Sequence, residues 1–151
     1  MLFALKRLTF NLAINAMQTK KYRSVMLIDD NEIDNLINQK MIESASLTEH
    51  IYIHTGAKSA IEFLRNMEKL DLADKVLPDV IFLDIDMPLM DGFQFLDEFE
   101  KLTMFTKKKC KIVMLTSSIN PSDFNRSKKY VNVKLYLNKP LTHDSIIGLS
   151  I

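Results

Sequence analysis

One cysteine, Cys110, is all that the 151 residues contain, so no internal disulfide forms and a disulfide-stapled scaffold is excluded. A reducing compartment, the cytoplasm, is the expected setting. No stretch approaches the run of about 18 apolar residues that a membrane-spanning helix needs. Neither sign of charge dominates: 20 Lys and Arg face 19 Asp and Glu, for a net charge of +1. That balance removes any bulk attraction for nucleic acid or for an anionic membrane, and no nucleic-acid partner is expected. Internal repeats and low-complexity tracts are missing too. At 17.5 kDa the chain has material for one core and not two.

What is present is unevenly distributed. Residues 1–28 hold Lys6, Arg7, Lys20, Lys21 and Arg23 and no acid, a charge of +5, which leaves −4 on the rest. In the opening stretch Arg7, Asn11, Asn15 and Gln18 recur at spacings of four, four and three, while Leu5, Leu8, Leu12 and Ala16 follow another stripe. This spacing predicts an amphipathic helix, and residues 1–23 are assigned to an N-terminal extension. Residues 24–151 are expected to form the domain that carries the chemistry.

From Ser24 onward short apolar runs alternate with helical periodicity. Val25 to Ile28, Ile51 to Ile53, Val80 to Leu83, Ile112 to Leu115 and Val133 to Leu137 read as five strands. Between them Ile33, Leu36, Ile37, Lys40 and Met41 fall at helical spacing. So do Ala60, Ile61, Phe63, Leu64 and Met67, and then Phe93, Phe95, Leu96, Phe99 and Leu102. Asn120-Pro121 opens a fourth helix by cap chemistry and a short fifth begins near Thr142. Five strands alternating with five helices predict an α/β fold with a parallel sheet covered on both faces.

Ligands of open parallel sheets bind beyond the carboxyl ends of the strands. Those ends here carry Asp29 and Asp30, then Asp84, then Thr116, then Lys139. Each has an ordinary reading taken alone: the acidic pair as a helix cap, the threonine as a strand end, the lysine as a solvated cation. All falling at strand ends, they read as one site. Crowded carboxylates repel, a hard divalent cation relieves the repulsion, and Mg²⁺ is the expected ion. A carboxylate beside such an ion can attack a phosphoryl group and form an acyl phosphate, with the lysine and threonine on the phosphoryl oxygens.

The segments Met26-Leu27-Ile28-Asp29-Asp30-Asn31, Leu83-Asp84-Ile85-Asp86-Met87-Pro88-Leu89-Met90-Asp91-Gly92, Leu115-Thr116-Ser117 and Leu137-Asn138-Lys139-Pro140 together resemble the receiver domain of two-component response regulators. The likeness runs from Val25 to about Leu149. It implies a flavodoxin-like, doubly wound sheet of strand order 2-1-3-4-5. By the same likeness Asp84 is similar to the phosphoacceptor, Asp30 to the direct Mg²⁺ ligand with Asp29 assisting, and the backbone carbonyl of Asp86 to a further metal ligand. Thr116 resembles the switch hydroxyl, Tyr136 the switch aromatic and Lys139 the phosphate-binding lysine. The Lys139-Pro140 bond matches one that is cis in the family, and Gly92 is expected to supply unusual backbone angles before the third helix of the domain. The implied partners are a histidine kinase or histidine phosphotransfer protein upstream. Downstream stands a protein target or a second copy of the chain, met through the face of the domain's fourth helix, fifth strand and fifth helix. With few residues after that helix, a stand-alone receiver is expected, one that turns over no substrate beyond its own phosphorylation and dephosphorylation.

Two rivals share the residues. A haloacid-dehalogenase-type phosphatase also orders an Asp-x-Asp (Asp84, Asp86), a hydroxyl (Thr116) and a lysine (Lys139), but it places its last acidic pair after the lysine, whereas Asp29-Asp30 comes first. A pseudo-receiver that binds partners without phosphorylation would not need the full acidic set. His50 and His54 are four apart but flank a predicted strand without further Cys or His, which argues against zinc. Lys107-Lys108-Lys109 with Lys111 lacks interleaved aromatics and reads as a solvated turn rather than a nucleic-acid patch.

Overall fold

The computed structural model describes residues 1–16, 20–117 and 120–151. Met17 and Gln18, at the end of the predicted first helix, lie outside them. The described elements run α1 (Leu2–Ala16), β1 (Tyr22–Ile28), α2 (Glu32–Ser44), β2 (Thr48–His54), α3 (Ala57–Met67), α4 (Ala73–Val76), β3 (Val80–Asp84), α5 (Gly92–Phe99), α6 (Met104–Lys109), β4 (Lys111–Thr116), α7 (Pro121–Ser127), β5 (Val133–Asn138) and α8 (His143–Ile147). All five strands are parallel, in the order β2-β1-β3-β4-β5, as expected.

Because successive side chains of a strand point to opposite faces, each buried run splits between two cores. Met26, Ile28, Ile81, Leu83, Ile112 and Met114 face α3 and α5, packing against Ile61, Leu64, Phe95 and Phe99. Val25, Leu27, Val80, Phe82, Val113 and Leu115 face the other way, onto Ile42 of α2 and Ile146 of α8. Burial on both faces is why these strands read as unbroken apolar runs rather than as alternation. Cys110 lies in the first core, where burial pushes its thiol up to about 12 and leaves it unreactive.

One expectation, the helix count, needs correction. The described residues form eight helices rather than five. One is α1, predicted as part of the extension; residues 1–10 are exposed. The other two additions, α4 and α6, are short. At four residues α4 is too short for a period to show. The helix α6 occupies the basic stretch read as a turn; it is capped by Thr103 and pinned by Glu68, whose carboxylate accepts from Thr103 N–H, Thr103 Oγ1 and Thr106 Oγ1 at 2.7–3.1 Å. A contact made across more than thirty positions leaves no local signature.

The direction in which α2 faces is not given by its periodicity. Its apolar stripe points outward: Ile33 is 68% exposed, Leu36 53% and Ile37 38%. The residues turned inward are Asn35, Asn38 and Ile42. Asn35 Nδ2 donates to the carbonyls of Asp29 (2.8 Å) and His54 (3.4 Å), and Asn38 Oδ1 accepts from Leu141 N–H at 2.9 Å. Strand ends expose unpaired backbone groups, and a buried one must find a partner. The two asparagines supply partners where β1, β2 and the β5–α8 connection meet, so polarity goes in and the apolar stripe is left out.

Candidate functional site

The strand register brings the five rim positions together. Ile28 pairs with both His54 and Leu83, Asp84 with Leu115, and Thr116 with Asn138, so β1, β3, β4 and β5 end side by side. Asp29 and Asp30 follow β1 directly, Asp84 ends β3, Thr116 ends β4 and Lys139 follows β5. Asn31 then caps α2, its Oδ1 accepting from Ile33 N–H (2.9 Å) and Asp34 N–H (3.2 Å). The aspartate pair is therefore left to the rim; the cap is the residue after it.

Carboxylate oxygens of Asp29, Asp30 and Asp84 lie within 4.8 Å of one another, with Asp29 and Asp84 buried and Asp30 exposed. This is the group among the described residues that suits a metal ion. An all-oxygen, anionic, half-open set fits Mg²⁺, which takes one or two carboxylates and keeps several waters. His50 and His54 both sit within β2 and are no part of it.

Lys139 is the counter-charge. Its Nζ donates to Asp29 Oδ2 at 2.8 Å and to Asp34 Oδ2 at 2.8 Å, and stands 3.4 Å from Asp84 Oδ1. Burial pulls the ammonium pKa down, but the bonds to Asp29 and Asp34 and the charge of Asp84 outweigh it and hold the pKa above the usual lysine value. Asp84 moves the other way: burial, then the neighbouring Asp29 charge, lift its carboxyl to about 6, with Lys139 only partly compensating. Asp34 was missed in the sequence. Its signal was its position one helical turn after Asp30, on the turn of α2 nearest the rim.

Thr116 is buried at the same rim, and its backbone carbonyl accepts from Lys139 N–H at 2.7 Å. Behind it Tyr136 packs edge-on against Phe124 of α7, ring centroids 5.6 Å apart. The Tyr136 hydroxyl is buried without a well-formed hydrogen bond. Burial, then Asp123, raise its pKa, while the nearby Thr116 hydroxyl draws it partly back. Asp86 is exposed, and its backbone N–H faces the Asp84 carboxylate. The Lys139-Pro140 bond is cis, as the resemblance implied.

Gly92 is needed for a different reason from the one expected. No glycine has positive φ; in the loop between β3 and α5 the residue in the left-handed region is Leu89, at 68°. What Gly92 contributes is the absence of a Cβ, which would stand 2.7 Å from the Asp84 carbonyl oxygen and 2.9 Å from Ile85 Cα. Its N–H bonds the Ile85 carbonyl at 2.8 Å. The start of α5 thus lies directly on the backbone that carries Asp84, and any side chain at position 92 would push the two apart.

Comparison with known proteins gives a consistent result. The family model for the response regulator receiver domain matches residues 25–149. A two-component response regulator from Cytophaga hutchinsonii superposes with a TM-score of 0.77 at 30% identity, covering 85% of this chain and 93% of that one. The response regulator Rcp1 of Synechocystis is 25% identical over 76% of this chain and 75% of its own length. The sensor histidine kinase CheAY of Helicobacter pylori is 30% identical over 77% of this chain, and the matched part is 13% of that larger protein.

Proposed function

The chain belongs to the response regulator receiver family and so acts in phosphorelay signalling, and on that premise we propose that Asp84 is its phosphoacceptor, served by Lys139, Thr116 and an acidic Mg²⁺ site. The supporting observation is one cluster: Lys139 Nζ within 3.4 Å of carboxylates that themselves converge within 4.8 Å at the strand ends. Asp29, Asp30 and Asp84 would hold Mg²⁺ together with the Asp86 carbonyl. The bound ion supplies neutralisation of the crowded carboxylates and of the phosphoryl oxygens that arrive beside them. An Asp84 oxygen then bonds to phosphorus as the bond to the donor's imidazole nitrogen breaks, and the electron pair leaves with the imidazole. Lys139 and the Thr116 hydroxyl take the phosphoryl oxygens. The receiver unit is residues 24–151, with 1–23 as its extension.

The upstream partner, a histidine kinase or histidine phosphotransfer protein, docks on the outward stripe of α2. Ile33, Leu36 and Ile53 line an open depression of about 490 Å³ that begins two residues from the acidic pair. Exposed apolar side chains gathered beside a reactive rim are the usual mark of a protein contact. Incubation with acetyl phosphate and Mg²⁺ should leave one stable acyl phosphate per chain. Continuous release of inorganic phosphate without a labelled protein would favour the phosphatase reading, and no reaction the pseudo-receiver. In a parallel arm Leu36→Ser should slow transfer from a phosphohistidine donor at least about tenfold, the loss of a central apolar contact, with acetyl phosphate labelling unchanged. Equal slowing of both arms would move the docking face elsewhere.

Output is read on the face of α7, β5 and α8. Drawing Thr116 toward a phosphoryl oxygen alters what Tyr136 and Phe124 pack against, which biases α7 without rebuilding the core. With beryllofluoride and Mg²⁺, backbone NMR shifts should change across residues 116–137 as well as at the acidic rim. Changes confined to residues 29–31 and 84–92 would mean that phosphate is stored and not signalled.

A further inference from the structure

Lys139 has more partners than phosphoryl binding needs. We propose that Asp34 is a positioning residue that holds the Lys139 ammonium away from Asp84 until a phosphoryl group arrives, and thereby limits the rate of phosphoryl capture; this rests on Asp84 being the acceptor. The distances carry the inference. A charge-assisted N–H···O bond between ions is normally about 2.7–2.9 Å long. Lys139 meets that standard with Asp29 and Asp34, both at 2.8 Å, and not with Asp84, at 3.4 Å. The ammonium is therefore parked on the α2 side of the rim.

With two of its three N–H groups on Asp29 and Asp34, the ammonium moves closer to Asp84 only by lengthening one of those bonds, and burial selects which. The Asp29 side chain is 3% exposed and would be stranded without its cation, whereas that of Asp34 is 33% exposed and rehydrates as it lets go. Asp34 also lies outside the three-carboxylate set, so losing Lys139 does not disturb the metal site. In the first turn of α2 its charge is favoured by the helix N-terminus whether or not Lys139 is present. It serves as a reversible tether.

The consequence is asymmetric. In the capture step an Asp84 oxygen bonds to the phosphorus of acetyl phosphate, the phosphorus–oxygen bond to the acetyl group breaks, and acetate leaves with the electron pair. Removing Asp34 frees Lys139 for this step. Once the acyl phosphate exists, Lys139 has already left Asp34, so hydrolysis is insensitive to it.

Wild type, Asp34→Asn, Asp34→Glu and Glu32→Gln should be compared at saturating Mg²⁺. Glu32 is exposed in the same helical turn and controls for general loss of negative charge. Asp34→Asn should accelerate capture from acetyl phosphate about threefold to fivefold, the size of a partly exposed ion pair. Acyl phosphate hydrolysis should stay within about twofold, Asp34→Glu should return capture toward the wild-type rate, and Glu32→Gln should change little. Without metal or donor, the ¹⁵N-ammonium NMR signal of Lys139 should be sharp in wild type and lost to exchange in Asp34→Asn. Slower capture in Asp34→Asn, equal acceleration by Glu32→Gln, or an unchanged ammonium signal would overturn the tether. Failure of wild type to be labelled at all would instead remove Asp84 as acceptor, and the tether with it.

Discussion

Asp84→Asn should take up no phosphoryl group under conditions that label the wild-type chain to completion, with intact-protein mass as the readout. Three carboxylates share the rim, and the geometry separates them. Both oxygens of Asp29 are engaged, Oδ1 by Asn31 N–H at 2.9 Å and Oδ2 by Lys139 at 2.8 Å. Asp30 is exposed, where a nucleophile competes with water. Asp84 ends the central strand, is buried, and has its cation 3.4 Å away, which leaves room for its oxygen to attack phosphorus. Its pKa of about 6 leaves the carboxylate mostly ionised at pH 7.5 yet more basic than an ordinary aspartate, which suits a nucleophile. Amide replaces carboxylate at nearly constant volume, so loss of labelling reports chemistry and not packing. Full labelling of the variant would move the acceptor to Asp29 or Asp30.

The rim was legible because it depends on one rule, that apolar runs in a parallel sheet stop where function begins. Asp29, Asp30, Asp84, Thr116 and Lys139 each follow such a run, and no knowledge of side-chain direction was needed to group them. What escaped depended on direction. The periodicity of Ile33, Leu36 and Ile37 marks one face of α2 correctly but does not say whether that face turns in, and the answer was set by backbone groups at distant strand ends that Asn35 and Asn38 satisfy. Asp34 escaped for the same cause: it matters through a lysine 105 positions away. Gly92 was the right residue with the wrong reason, since a close approach between two backbones cannot be told from a positive φ by composition alone.

The burial beside Asp29 that raises the Asp84 pKa also costs stability, with a definite dependence on pH. Its carboxyl is raised from 3.8 to about 6 in the folded chain, so the native state holds a proton that the unfolded state has released between those values. Stability from this group is fully present below about pH 4 and is lost as pH rises through 6. A shift of this size corresponds to about 3 kcal/mol, an order-of-magnitude figure. Asp84→Asn, which cannot ionise, should therefore be more stable than wild type by about 1–3 kcal/mol at pH 8 and show no advantage at pH 4. The quantity to follow is the difference between the two chains. His54, whose pKa is lowered by burial, adds stability to both as pH rises up to the ordinary histidine value and no more above it, and so cancels. Mg²⁺ should narrow the gap at pH 8, because a ligand of the ionised cluster stabilises the chain that keeps all three carboxylates. Denaturant melts of both chains at pH 4, 6 and 8 decide it. A difference that stays flat across that range would mean that Asp84 is not held in a destabilising charged state, and its basicity would then have to come from somewhere other than burial beside Asp29.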